Sequence, residues 1–273
     1  MSDIKREPDG VLVINKHAGP TSHDIVNKIR RLYGTKKVGH TGTLDPMAEG
    51  VLVVLIGRAA KAAEYLATDS KKYRATLRLG IETDTQDVTG EVLKHFAGKL
   101  PSADTVAEAC RGFIGKISQV PPMYSALKVG GKKLLDLARQ GITVERQARP
   151  IEIFSLECTP VNDSDYTLDV HCSGGTYIRT LCADIGEKLG CGGTMATLCR
   201  TETGGFPIEK SYTIERLENM NEDERLSLLI PTESLFADLP AVKLPVFYEK
   251  LCRSGCEIYQ NKIRTNHKVG RRV

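Results

Sequence analysis

Asp45 is the side chain whose setting most invites a chemical role. It stands in Gly39 to Leu52, G-H-T-G-T-L-D-P-M-A-E-G-V-L, where glycines, His40 and the Asp45-Pro46 pair make a tight loop. Pro46 biases Asp45 away from the helical region toward an extended backbone, so its carboxylate leaves the chain in a restricted direction. The loop feeds Val51 to Ile56, a short apolar run rich in β-branched residues that reads as a buried strand. A polar loop entering a central strand sets its side chains at a rim, where binding and catalytic groups collect. The same residues also suit an ordinary turn, with Asp45-Pro46 as its initiator and His40 as a loop residue. A second candidate is Arg179. The spacing of Ile178, Leu181, Cys182, Ile185 and Leu189 predicts a helix, with Arg179 in its first turn. The helix dipole disfavours a cation there by roughly a few tenths of a kcal/mol, so a carboxylate opposite it would explain the position better.

The elements that must position these groups alternate between strands and helices. Gly10 to Ile14 reads as a short buried strand, and Thr21 or Ser22 caps a helix carrying Ile25, Val26, Ile29 and Leu32 at helical spacing. A short helix is expected over Ala59 to Leu66. Lys71 to Leu79 alternates with Tyr73, Ala75, Leu77 and Leu79 on one face, where Tyr73 would ordinarily be a core tyrosine. Asp84, Asp87 and Glu91 follow; their spacing does not fit a calcium loop, so turn capping is the better reading. Ala103 to Phe113 predicts a helix, Lys116 to Val120 a strand, and Lys132 to Arg139 a helix. Pro150 to Pro160 and Asp165 to Cys172 form a probable hairpin, since the second strand alternates strictly. Ser173-Gly174-Gly175-Thr176 then turns into the Arg179 helix. Gly192 to Phe206 is a strand and turn on which Leu198 would be a core residue, and helical patterns at 214–220 and 222–229 follow.

Composition narrows the class. The chain has 273 residues, 41% hydrophobic and 26% charged, enough for one large core or a large and a small one. No apolar run has the length of a membrane span, and the first residues lack the apolar core of a signal peptide, so a cytoplasmic protein is expected. The 8 cysteines include no C-x-x-C pair, which predicts reduced, mostly buried thiols and no zinc site. The net charge of +4 is mild but unevenly spread. Residues 215–238 are strongly acidic and residues 239–273 strongly basic, which predicts a boundary near Pro240 and a face able to meet phosphates.

Taken whole, G-H-T-G-T-L-D-P-x-A-x-G-V-L closely resembles the signature of the TruB family of pseudouridine synthases. The run Gly175 to Leu181, G-T-Y-I-R-T-L, is a second strong match. Weaker matches are K-x-x-G-x-T-S from Lys16, where His17 replaces the usual proline, G-x-x-T-D-T-x-D-x-x-G from Gly80, and L-x-R-x-x-x-G-x-F from Leu198. The resemblance implies an α+β pseudouridine-synthase fold: a mixed, mostly antiparallel sheet flanked by helices, with a central RNA-binding cleft. It implies cofactor-free isomerisation of uridine to pseudouridine in tRNA, at the T-loop uridine (position 55), by base flipping. Asp45 would be the catalytic residue, attacking the uridine or abstracting its 2′ proton. Arg179 would pair with Asp45 through a bidentate fork, lower its pKa and keep it ionised. Tyr73 would stack on the uracil and relay the proton lost from C5. Tyr177 and Leu198 would line the uracil pocket, and His40 would contact the flipped nucleotide or fill its space.

The same resemblance makes residues 1–238 a catalytic domain and residues 239–273 a partial PUA-like segment. Within the first, residues 121–150 match an insertion that closes over the tRNA T-arm, with Lys128, Lys132 and Arg139 expected on the RNA backbone. Leu135 replaces a tyrosine common there, and a merely solvated basic loop is the other reading of this stretch. No metal, membrane or obligatory protein partner is expected, and the chain would act as a monomer. Two other functions share parts of the pattern: a dyskerin-type, guide-RNA-dependent synthase, and a tRNA-binding chaperone whose catalysis is incidental.

Overall fold

The computed structural model describes residues 7–63, 70–236 and 242–259. β1 (Gly10–Lys16) leads through α1 (Ser22–Leu32) and β2 (Val38–His40) to β3 (Glu49–Ile56). After a 3₁₀ turn at Gly57–Ala62, β4 (Lys71–Leu79) precedes a small hairpin of β5 (Ile81–Thr83) and β6 (Val92–His95). α2 (Ala103–Arg111) and β7 (Gly115–Gln119) come next. A ribbon of β8 (Lys128–Val129) and β9 (Lys132–Lys133) then runs into α3 (Leu134–Ala138). β10 (Arg149–Pro160), β11 (Asp165–Cys172), α4 (Ile178–Lys188), β12 (Gly193–Thr203) and β13 (Phe206–Pro207) build the second half. α5 (Ile214–Glu218) and α6 (Glu222–Ser227) follow.

One sheet carries the site. Among the described residues its strands run β1-β3-β12-β4-β11-β10-β7, with β2 joined to β3 and β13 to β12. The pairs are antiparallel except where β12 meets β3. The architecture is therefore the expected α+β fold with a mostly antiparallel sheet and helices packed against it. β1 and β3 are buried along almost their whole length, which is why their sequences are apolar runs rather than alternations. β4 and β11 bury every second residue, so Tyr73, Ala75 and Leu77 face the core while Arg74 and Arg78 face the other way.

Local chemistry sets the boundaries. At α1, the Thr21 hydroxyl accepts from the Asp24 N–H (3.1 Å) and the Asp24 carboxylate accepts from the Thr21 N–H (2.9 Å), a capping box that fixes where the helix starts. The helix expected over Ala59 to Leu66 is a 3₁₀ turn at its beginning, and residues 64–69 lie outside the described residues. The helix expected from Lys132 starts later, at Leu134. Gly130 and Gly131 both take positive φ, as primed hairpin turns require, so Lys132 and Lys133 are drawn back to pair with β8. α4 packs so closely on β12 that a β-carbon at Gly186 would collide with the Gly193 backbone.

By the clustering of its contacts the chain divides into two compact units, Met1–Pro231 and Thr232–Val273, a division that falls before the charge boundary. In the second unit, α7 (Val246–Arg253) begins after Pro245 and exposes Val246 and Phe247. Among the described residues no helix is long and apolar enough to cross a membrane. The eight cysteines are free: four are buried, two are half-buried, and Cys252 and Cys256 are exposed.

Candidate active site

The loop of Asp45 is held from below by two buried cations. Arg200 on β12 donates Nε to Val51 O (2.7 Å), Nη2 to Gly42 O (3.1 Å) and Nη1 to Thr43 O (3.4 Å), tying the loop to the strand it feeds. Lys16, at the end of β1, donates to Pro46 O (3.1 Å) and His17 O (2.9 Å). Burial depresses the Lys16 pKa to about 8, against the opposing pull of Glu49 and Asp45. Their carbonyl partners give each charge the hydrogen bonds that a buried cation needs. The strands also have to approach closely, since a β-carbon at Gly50 (φ +97°) would collide with the Arg200 backbone.

Above this floor stands Arg179, almost wholly buried in the first turn of α4. Its Nε meets Asp45 Oδ2 at 2.9 Å. Its other nitrogens do not join a fork on Asp45: Nη1 donates to Thr85 O (2.9 Å) and Nη2 to Tyr124 O (2.7 Å). Asp87 Oδ2 lies 3.6 Å from Nη1. One guanidinium thus gathers the Asp45 loop, the Thr85–Asp87 turn and the insertion around itself, which corrects the bidentate pair expected from the sequence. Asp87 does cap its turn, accepting from the Thr89 N–H (3.0 Å) and the Thr85 hydroxyl (2.9 Å), but it is also a second carboxylate on Arg179.

The expected fall in the Asp45 pKa is also corrected. Burial pushes it up, Arg179 pulls it down, Asp87 pushes it up again, and the net direction is up. Asp45 keeps 36% of its side-chain surface open, but that surface faces the floor of a recess, where few waters can solvate a charge.

The recess has a volume of about 350 Å³ and is walled by Asp45, Tyr73, Tyr177, Arg179, Leu198 and Arg200. Register explains how residues so far apart in sequence share it. Tyr73 on β4 lies opposite Arg200, and Ala75 opposite Leu198, between two irregularities in β12 that reset which face its side chains present. Burial, partly offset by the positive charge of Arg200, raises the Tyr73 pKa and keeps it a neutral phenol. Tyr177 is the residue before α4, and burial raises its pKa too.

Of the remaining candidates, His40 is not part of the recess wall. It sits on β2 opposite Val54, its Nδ1 buried without a hydrogen-bond partner among the described residues, and burial lowers its pKa. Lys128, Lys132 and Arg139 line a separate open hollow of about 660 Å³ together with Lys133 and Asp136. Asp84 accepts from the Glu91 N–H (2.8 Å) and the Tyr124 hydroxyl (3.2 Å), the turn-capping role its spacing suggested.

The chain is similar to known proteins along most of its length. Residues 30–178 match the TruB family pseudouridylate synthase N-terminal domain, and residues 179–237 match the tRNA pseudouridylate synthase B C-terminal domain. The chain is 46% identical over 253 residues to the tRNA pseudouridine synthase B of Alkaliphilus oremlandii, covering 93% of this chain and 84% of that one. It is 50% identical over 217 residues to the protein of the same name from Geotalea uraniireducens, covering 80% and 70%. Among solved structures it is similar to a chain in the crystal structure of a Cbf5-Nop10-Gar1 complex, with a TM-score of 0.66 and 29% identity, spanning 86% of this chain and 64% of that one.

Proposed function

We propose that this chain, which belongs to the TruB family of pseudouridylate synthases, converts a uridine of tRNA to pseudouridine, and that its target is the T-loop uridine at position 55. The observation that carries the reading is the Asp45–Arg179 pair on the wall of a recess of nucleoside size. The reaction breaks the bond from N1 to C1′, turns the uracil in place, joins C5 to C1′ and moves the C5 proton away, so nothing enters or leaves the substrate but protons. Asp45 acts as the ionised carboxylate, by attack on the sugar or by removal of its 2′ proton. Its raised pKa makes it a stronger base than an ordinary aspartate, and Arg179 gives its charge a partner.

Tyr73 offers its ring to the uracil from its buried place on β4; such stacking contributes about 1–3 kcal/mol per base without reading sequence. Leu198 and Tyr177 close the recess around it. Extruding a base costs a few kcal/mol and is easier from a loop than from a duplex, which suits a T-loop target. The hollow of Lys128, Lys132 and Arg139 suits the RNA backbone, whose contacts position without specifying. Residues 239–273 add net positive charge to the chain, as a partial PUA-like segment. The chain acts alone, as a cytoplasmic monomer. His40 contributes beside the recess, through the loop that carries Asp45.

Incubation of the isolated chain with an unmodified tRNA transcript, followed by mapping of pseudouridine to single nucleotides, tests the reading. Pseudouridine at position 55 of bare tRNA is expected. No product without added protein or guide RNA, or product elsewhere, would overturn it.

A further inference from the structure

The insertion leaves the sheet and rejoins it at one place. Gln119, the last residue of β7, lies opposite Arg149, the first of β10. Gln119 is 2% exposed, and both halves of its amide are used on the main chain of a single residue. Its Nε2 donates to Tyr177 O (3.1 Å), and the Tyr177 N–H donates to its Oε1 (2.8 Å). Tyr177 precedes α4 and makes no side-chain cap of its own, while its carbonyl also accepts from the Leu181 N–H (3.0 Å). Helix starts leave backbone donors unsatisfied and fray unless something holds them. Here the holding is done from the root of the insertion, two residues before the arginine that meets Asp45.

Resting on the functional reading above, we propose that Gln119 is a positioning residue for the isomerisation: it fixes the start of α4, and with it Tyr177 and Arg179, to the base of the RNA-clamping insertion. Two convergent hydrogen bonds from one buried amide hold the Tyr177 main chain by its N–H and its carbonyl, on both sides of its Cα. Arg179 completes the link from the other side, donating Nη2 to Tyr124 O within the insertion. A side chain of similar size without the amide keeps the packing but frees the Tyr177 main chain. A carboxylate there sets an oxygen against the Tyr177 carbonyl. A protonated carboxyl restores both bonds, because it donates an O–H and still accepts.

That difference in protonation supplies the test. Gln119→Leu and Gln119→Glu are compared with wild type by single-turnover pseudouridine formation, tRNA affinity and thermal melting across a pH series, each rate divided by the wild-type rate at the same pH. Gln119→Leu is expected to lose about 10- to 100-fold in turnover with tRNA affinity little changed, the scale set by small misplacements of reacting groups. Gln119→Glu is expected near wild type at the acid end and to fall away as pH rises through the pKa of the introduced carboxyl, which burial lifts above its usual value of about 4.3. A merely structural role would lower the melting temperature and tRNA affinity in step with turnover, whereas a positioning role lowers turnover while both hold. Wild-type turnover with both variants matching it, or a Gln119→Glu ratio flat with pH, overturns this proposal alone. Wild-type protein that leaves uridine untouched overturns the functional reading, and this proposal with it.

Discussion

The two sides of β4 hold the same chemical pair in opposite electrostatic states. On the recess side, Asp45 meets Arg179 and its pKa still rises. On the other side, Asp165 meets Arg78 through two bonds of 2.8 Å, and that arginine holds its carboxyl below the usual carboxylate range. The partner is the same, so the surroundings decide. Arg78 spreads into solvent and gives both nitrogens to Asp165, whereas Arg179 divides its donors among Asp45, Thr85 and Tyr124 inside the protein. Neighbouring Asp87 adds a second negative charge that the outer pair lacks. An arginine beside an aspartate therefore says little about the aspartate until water and the arginine's other partners are known.

Breaking the inner pair should have effects far larger than breaking the outer one. Asp45→Asn should drop pseudouridine formation below about one-thousandth of wild type while tRNA binding, read by filter retention, persists. Loss of binding together with turnover would make Asp45 a structural residue instead. Arg179→Ala should cost about 10²- to 10³-fold in turnover, since Asp45 loses the cation that orients it and partners its charge. Arg179→Lys should recover little of it, because a lysine cannot serve Asp45, Thr85 and Tyr124 at once. Asp87→Asn keeps the turn capped through its remaining oxygen, and a fall of about tenfold is expected from the weakened hold on Arg179.

The outer pair should sharpen the contrast by mattering only for stability, and only modestly. Arg78→Ala should leave turnover unchanged and lower unfolding stability by about 1 kcal/mol or less, discounted for the exposed arginine. Because the folded pKa of Asp165 is lowered, this stability is present above the unfolded value of about 3.9 and is lost as pH falls through the folded value. Urea midpoints of variant and wild type should therefore converge on acidification.

The contrast also marks what the sequence could reveal. Alternation in Lys71 to Leu79 placed Tyr73 on the buried face and Arg78 on the open one, because strand periodicity is local. Arg179 announced itself as a cation in the wrong turn of a helix, and the loop signature supplied Asp45 as its partner. What stayed hidden depends on contacts from distant parts of the chain. Arg200 and Lys16 hold the Asp45 loop through backbone carbonyls, which leave no complementary residue type to find. Asp87 looked like a turn cap and is one; its second oxygen reaches Arg179 only because β5 and α4 meet through β12. The direction of the Asp45 pKa needed the depth of the recess, which no motif encodes.

The central claim is that a half-buried, arginine-partnered Asp45 acts as a carboxylate on uridine, and its ionisation can be followed directly in the chemical step. Single-turnover release of the C5 hydrogen from tritiated tRNA, measured against pH, reports the acid limb of the reaction. The account predicts a limb above the ordinary aspartate range near 3.9, moving higher in Arg179→Ala, where the positive partner is gone, and lower in Asp87→Asn, where a negative neighbour is removed. A limb at or below the ordinary value, unmoved by either substitution, would contradict it.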